Sequence, residues 1–194
     1  LQTPIFMMTD LDIGMNTRLC APLQWDDKQM YDRGKIMTAE MLDTGRDFGR
    51  YLDVDGDGIT YRTYPGTHAT RGGYFTRGTT KNRYAGYSET GPDYIDNVQR
   101  LLRKFDSAKK LVPAPLLYPA AKPARFGAIF YGSTSPAMQE ALDVLAERGI
   151  HVNALRVRAF PFQDEINDFV ASHPWVFVIE QNRDAQLKSM LVNE

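Results

Sequence analysis

Over residues 126–194 the apolar positions follow two alternating periods, short unbroken runs and stripes that recur every three to four residues. Ala128, Ile129, Phe130 and Tyr131 form the first run, and the turn-forming string Gly132-Ser133-Thr134-Ser135-Pro136 closes it. Ser135 is placed to cap a helix and Pro136 to occupy its first position, where a missing N–H is harmless. Met138, Ala141, Leu142 and Leu145 then form one apolar stripe, and Gly149 ends the helix. Residues 152–159 follow as a second strand, which a helical crossover makes parallel to the first. The unit repeats. After Pro161, the positions Phe162, Ile166, Phe169 and Val170 predict a helix over residues 163–172, and Trp175 to Ile179 a third strand. Its run Val176-Phe177-Val178-Ile179 predicts cover on both faces. Glu180-Gln181-Asn182 ends it, and a further helix starts near Arg183, carrying Ala185, Met190 and Leu191. The expected fold is α/β, with part of an open parallel sheet whose ligand or partner edge lies beyond the strand ends, near Gly132, Arg158 and Glu180.

The first half is less regular. Ile5-Phe6-Met7-Met8 predicts a short buried strand with Thr9 and Asp10 at its end, and a loop follows as far as Trp25. A lone strand has nothing to pair with, so the chain is expected to be a segment open at both ends. From Pro92 a long helix is predicted, with Ile95, Val98, Leu101, Leu102, Phe105 and Ala108 on one face and Arg100, Arg103 and Lys104 facing away. Pro113, Pro115, Pro119 and Pro123 preclude helix or central strand and mark a linker over residues 112–125. The expected domains are therefore residues 1–111 and 126–194.

With 194 residues the chain is long enough for one domain or somewhat more. Its net charge of −1 gives no overall attraction to nucleic acid or anionic membranes. No run approaches the roughly 20 apolar residues of a membrane span. The single cysteine, Cys20, excludes an internal disulfide and cannot by itself hold an iron–sulfur cluster. A reducing, cytoplasmic setting is the expectation.

Several stretches carry candidate chemistry. Asp53-Val54-Asp55-Gly56-Asp57-Gly58 begins like a calcium loop, but Tyr64 stands where a bidentate glutamate belongs, so an acidic turn is the preferred reading. Residues 61–87 interleave Tyr61, Tyr64, Tyr74, Phe75, Tyr84 and Tyr87 with Arg62, Arg71, Arg77, Lys81 and Arg83. Such a stretch suits a subunit interface or active-site lid, and a non-catalytic structural or nucleic-acid-binding module using this loop is the alternative. His68, His151 and His173 show no metal-ligand spacing, and Gly132-Ser133-Thr134-Ser135 lacks the glycine spacing and lysine of a phosphate-binding loop.

Taken together, several strings resemble a known family. They run from Thr9 to Asn16 (TDLDIGMN), Tyr61 to His68 (YRTYPGTH), Phe75 to Thr79 (FTRGT), Tyr131 to Met138 (YGSTSPAM) and Glu180 to Leu187 (EQNRDAQL). In that order they are similar to the alpha subunit of 2-oxoacid:ferredoxin oxidoreductases, most like the 2-oxoglutarate type. The resemblance implies that residues 1–111 end a thiamine-pyrimidine-binding domain, and that residues 126–194 form an incomplete transketolase C-terminal-like domain, a three-layer αβα sandwich. It implies oxidative decarboxylation of a 2-oxoacid with coenzyme A, ferredoxin accepting the electrons. Thiamine diphosphate, Mg2+ and a [4Fe-4S] cluster would be held mainly by a beta subunit, and none by this segment alone. The family's aminopyrimidine-contacting segment, its Thr-Pro turn and its substrate arginine are not found here, so no catalytic residue is transferred. Asp10, Arg62, His68 and Arg77 are expected at the subunit interface or substrate-channel rim.

Overall fold

The computed structural model describes every residue except 18 and 194. Its helices are α1 (Leu11–Met15), α2 (Ala39–Asp43), α3 (Gly91–Lys109), α4 (Ser135–Glu147), α5 (Asp164–Ala171) and α6 (Gln186–Asn193). Its strands are β1 (Leu116–Tyr118), β2 (Phe126–Tyr131), β3 (Val152–Val157) and β4 (Trp175–Ile179). The chain divides into two compact units: Leu1–Ile5 with Pro22–Leu111, and Phe6–Ala21 with Val112–Glu194.

The second unit is a four-stranded sheet in the order β1-β3-β2-β4. β2 runs parallel to both β3 and β4, as the repeated β-α-β pattern predicts, while β1 adds an antiparallel edge. That edge strand lies within the proline-rich stretch, where no helix or central strand is expected. Pro115 and Pro119 flank β1, and an edge strand pairs on one side only, so the prolines interrupt no central ladder.

Paired positions in neighbouring strands share a face. Ile129 and Leu155 therefore point together, and pack with Phe162, Ile166 and Phe169 around α5 and with Leu187 of α6. Ala128, Phe130 and Ala154 point the other way, onto Met138 and Leu142 of α4. With α4 on one face and α5 and α6 on the other, β2 is flanked by both crossover connections, and its C-terminal end lies at the sheet edge where open α/β sheets bind ligands.

Three local expectations change. β4 is not covered on both faces: Val176 and Val178 enter the core, but Trp175, Phe177 and Ile179 are exposed, because α4 packs over β2 and β3 rather than over the outer strand. Ser135 does not cap α4. Thr134 is the cap residue, and the Ser135 hydroxyl donates instead to the Gly132 carbonyl at 2.7 Å. α6 begins at Gln186 rather than near Arg183, because Ala185 has a left-handed φ of +50°, which no right-handed helix includes. Gly149 ends α4 as expected: its φ of +78° lets the Ile150 N–H return to the Leu145 carbonyl at 2.9 Å.

The predicted strand at Ile5-Phe6-Met7-Met8 does not form, and all four side chains are exposed. A strand needs a neighbour to satisfy its backbone, and none lies beside this run. Asp10 instead starts α1, its carboxylate accepting the Ile13 N–H at 2.8 Å, so the loop expected to run to Trp25 opens with a helical turn.

The first unit has no extended sheet, only isolated bridges between Ile36 and Arg62 and between Lys81 and Tyr87. Loops pack around α3, which forms where expected but does not bury the expected apolar face: of that stripe Ala108 alone is buried, and Arg103 stays exposed as expected. Arg100 is 7% exposed, whereas Ile95, Leu101, Leu102 and Phe105 stand in solvent. The cause is backbone contact. A side chain built on Gly58 would lie 2.3 Å from the Lys104 nitrogen and 2.5 Å from the Arg100 carbonyl oxygen. Only glycine lets the loop press so closely onto the helix, and its φ of +76° is one that glycine adopts at no cost. Once that side faces the loop, the stripe from Ile95 to Phe105 must face outward.

Candidate functional site

In the first unit the chain folds a cleft of about 340 Å³ from residues 63–68 and 71–74. Its most organised member is His68. Nδ1 accepts the N–H groups of Thr70 at 3.1 Å and Arg71 at 2.9 Å, which leaves the proton on Nε2, 3.0 Å from the Asp43 carboxylate. Asp43 is the last residue of α2, which Thr38 starts by accepting the Met41 N–H. The Arg71 guanidinium donates to the Leu42 carbonyl at 2.7 Å, and the Thr63 hydroxyl to the Gly72 carbonyl at 2.6 Å. The floor is thus fixed by side-chain to backbone bonds, while Tyr64 and Tyr74 stay exposed at the rim. A donor N–H held by a carboxylate, beside a guanidinium and two phenols, suits recognition of a polar or anionic group more than proton abstraction, since both ring nitrogens of His68 are engaged.

The residues singled out in the sequence are only partly assembled. His68 lines the cleft. Arg62 borders it: the guanidinium donates to the Arg33 carbonyl at 2.8 Å and the Tyr64 hydroxyl at 3.1 Å, and lies 5.3 Å from the Tyr64 ring centre. Arg77 is not among the lining residues and lies over the Tyr87 ring at 5.7 Å. Asp43, which sequence reasoning missed, sits in a five-residue helix too short for any periodicity; its one legible signal was the capping threonine upstream.

The aromatic and cationic residues of this region also bind one another. Arg46 stacks on Tyr61 at 4.6 Å, and Arg50 lies 5.9 Å from the Tyr74 ring centre. Cations of the chain itself therefore occupy several of the faces on which nucleobases would stack.

The acidic turn is equally engaged. Asp53 accepts the Gly56 and Gly58 N–H groups at 3.0 Å each and the Arg103 guanidinium at 3.1 Å, while Lys35 pairs with Asp55 at 2.7 Å and Asp57 at 2.8 Å. Burial of Lys35, which alone would lower its pKa, is outweighed by bonds from both carboxylates, so the pKa is raised. For Asp57 burial is likewise outweighed, chiefly by Lys35, and the carboxyl is held below its usual range.

In the second unit, the C-terminal edge of the sheet is formed by the turn after β2 and the loop after β4. The Asn182 amide reaches the Tyr131 hydroxyl at 3.4 Å and the Gln181 amide the Thr134 hydroxyl at 3.4 Å, joining the ends of β2 and β4. Glu180 accepts the Leu187 N–H at 2.9 Å and the Lys188 N–H at 3.2 Å, capping α6. Its slight burial, which would raise the pKa, is outweighed by these amides and by Asn182, so the carboxyl stays ionised below its usual range. Asp10 approaches this edge, its carboxylate 4.0 Å from where a Gly132 side chain would begin. Arg158 donates to the Ala114 carbonyl at 2.6 Å and so ties the segment preceding β1 to the end of β3. His173, by contrast, is half-buried and held within the fold: it bonds the Phe169 carbonyl at 2.7 Å and the Asn153 amide at 2.8 Å.

This architecture has a solved counterpart. The chain is similar to a 2-oxoglutarate:ferredoxin oxidoreductase from Magnetococcus marinus with 2-oxoglutarate, coenzyme A and succinyl-CoA bound: TM-score 0.66 at 20% identity, covering 77% of this chain and 26% of that one. The two share a fold of the α/β class, and the present chain spans about a quarter of the longer one. No family model matches the chain, and no curated protein does. Among the described residues no helix is long and apolar enough to cross a membrane.

Proposed function

We propose that this chain is part of the alpha subunit of a thiamine-diphosphate-dependent 2-oxoacid:ferredoxin oxidoreductase, with 2-oxoglutarate as the preferred substrate class. The observation that carries the reading is the fold correspondence over 77% of the chain with an enzyme of that activity, whose family resembles this chain's motifs in the same order. In the proposed reaction a 2-oxoacid and coenzyme A give an acyl-CoA and carbon dioxide, and two electrons pass to ferredoxin. Thiamine would supply the electron sink for the decarboxylation.

Residues 1–111 would end the pyrimidine-binding domain, and residues 126–194 would belong to the transketolase C-terminal-like domain. The donor set of this chain does not suit the metal groups: its one thiol, Cys20, stands alone, and the carboxylates of residues 53–57 are turned to Lys35, Arg103 and loop amides. Thiamine diphosphate, Mg2+ and the [4Fe-4S] cluster are therefore assigned mainly to a beta subunit, and no step at them to this chain. The outward apolar stripe of α3 supports such a partner, since large exposed apolar patches mark interaction surfaces. Asp10, Arg62, His68 and Arg77 are assigned to the interface or to the rim of the substrate channel, and the complex to the cytoplasm.

The test is co-expression with a thiamine-diphosphate-binding, cysteine-containing subunit, followed by assay of viologen reduction. Dye reduction that requires both 2-oxoglutarate and coenzyme A is expected of the complex, and none of this chain alone. A stable complex that turns over no 2-oxoacid, or turnover by the isolated chain, would overturn the reading.

A further inference from the structure

The seam between α3 and the 53–58 loop gathers positive charge around a small cavity. Tyr51, Leu52, Asp53, Arg83, Asp96, Arg100 and Arg103 enclose about 170 Å³. Arg100 is more than nine-tenths buried, and its Nε has no hydrogen-bond partner. The guanidinium makes one donation, to the Gly58 carbonyl at 3.1 Å. Arg50 and Lys104 stand close behind. Burial first, and then Arg100 and Arg50, push the Lys104 pKa down. Burial and Arg50 lower that of Arg100 against the opposing pull of Asp53 and Asp96.

Three arginines thus line the cavity beside two carboxylates, and both carboxylates are engaged. Asp53 accepts two loop amides and Arg103, and Asp96 accepts Arg83 at 3.1 Å. A buried guanidinium with an unpartnered nitrogen is unfavourable unless something of opposite sign joins it. Two of the arginines come from successive turns of α3 and the third from the loop before it, so the cavity is lined by donors from more than one element, which suits the tetrahedral oxygens of phosphate better than a flat carboxylate. The volume is below the roughly 300 Å³ at which pockets begin to hold whole small molecules, so a group fits rather than an entire cofactor.

We propose that this cavity binds a phosphate group, free or as a monoester, between Arg83, Arg100 and Arg103. The inference does not depend on the proposed oxidoreductase activity, and its test reads binding alone. The full chain is titrated with inorganic phosphate by calorimetry, with glycerol phosphate as the monoester, malonate as the dicarboxylate control and sodium chloride at matched ionic strength. Saturable sub-millimolar binding of phosphate, with a rise in melting temperature that chloride and malonate do not reproduce, is expected. Equal effects of phosphate and chloride, or tighter malonate binding, would overturn the assignment. Arg83→Gln and Arg103→Gln, both at partly exposed side chains that should leave folding intact by circular dichroism, should each weaken phosphate roughly tenfold. Wild-type affinity in both folded variants would overturn it as well. Binding of the monoester as tightly as inorganic phosphate assigns the cavity to the phosphate of a larger ligand; binding of inorganic phosphate alone assigns it to the free ion.

Discussion

Arg100, in the middle of the longest helix, donates to the carbonyl of Gly58 at 3.1 Å and lies buried there, while the apolar stripe from Ile95 to Phe105 of the same helix faces outward. The pairing orients α3, and with it both the exposed stripe and the arginine-lined cavity.

The close approach makes Gly58 indispensable. Gly58→Ala places a methyl group against the α3 backbone at a positive φ, and should destabilise the first unit by more than about 2 kcal/mol. Urea denaturation reads the change. A loss below about 0.5 kcal/mol would mean that loop and helix do not touch as described.

The outward stripe gives the opposite expectation. Leu102 is 61% exposed, so Leu102→Glu should leave the stability of the isolated chain within about 0.5 kcal/mol, as exposed substitutions do. If the proposed beta subunit docks on this face, the same substitution abolishes co-purification. Unfolding of the variant would show that Leu102 is internal.

The His68 tautomer follows from its partners. Two backbone N–H groups can only donate, so Nδ1 must accept and the proton must sit on Nε2. Ring 15N shifts at neutral pH should report the Nε2–H form, and Asp43→Asn should disturb them without unfolding the chain. An Nδ1–H signature would show that the 68–71 turn is not formed as described.

Glu180 should give the second unit an acid-sensitive contribution. Its folded pKa lies below the ordinary carboxylate value, so the stabilisation is fully present above the unfolded value and is lost as pH falls through the folded one. Glu180→Gln should therefore reduce stability near neutrality and flatten its dependence on pH on the acid side. Parallel curves for variant and wild type would remove the capping role.

The β-α-β core was legible because its signals are local. Each run from Ala128 to Tyr131 or from Val176 to Ile179 is bounded by its own turn residues, and each helix between carries its own stripe, so order and parallel direction follow from short windows. Exposure of alternate residues on β4 was not legible, because it depends on how far α4 extends over the sheet. Nor was the Asp43 contact to His68, which joins residues 25 apart through a helix of five.

The stretch at Ile5-Phe6-Met7-Met8 marks the limit of pattern alone, since an apolar run becomes a strand only when another strand accepts its backbone bonds. The sequence by itself determined the three parallel strands and the two helices that link them between residues 126 and 179, because periodicity and turn chemistry act over a few residues. Only the tertiary structure decided which side of α3 is buried, where three arginines line one cavity and which of the candidate residues share a cleft, because each depends on the approach of distant backbone segments such as Gly58 to the helix.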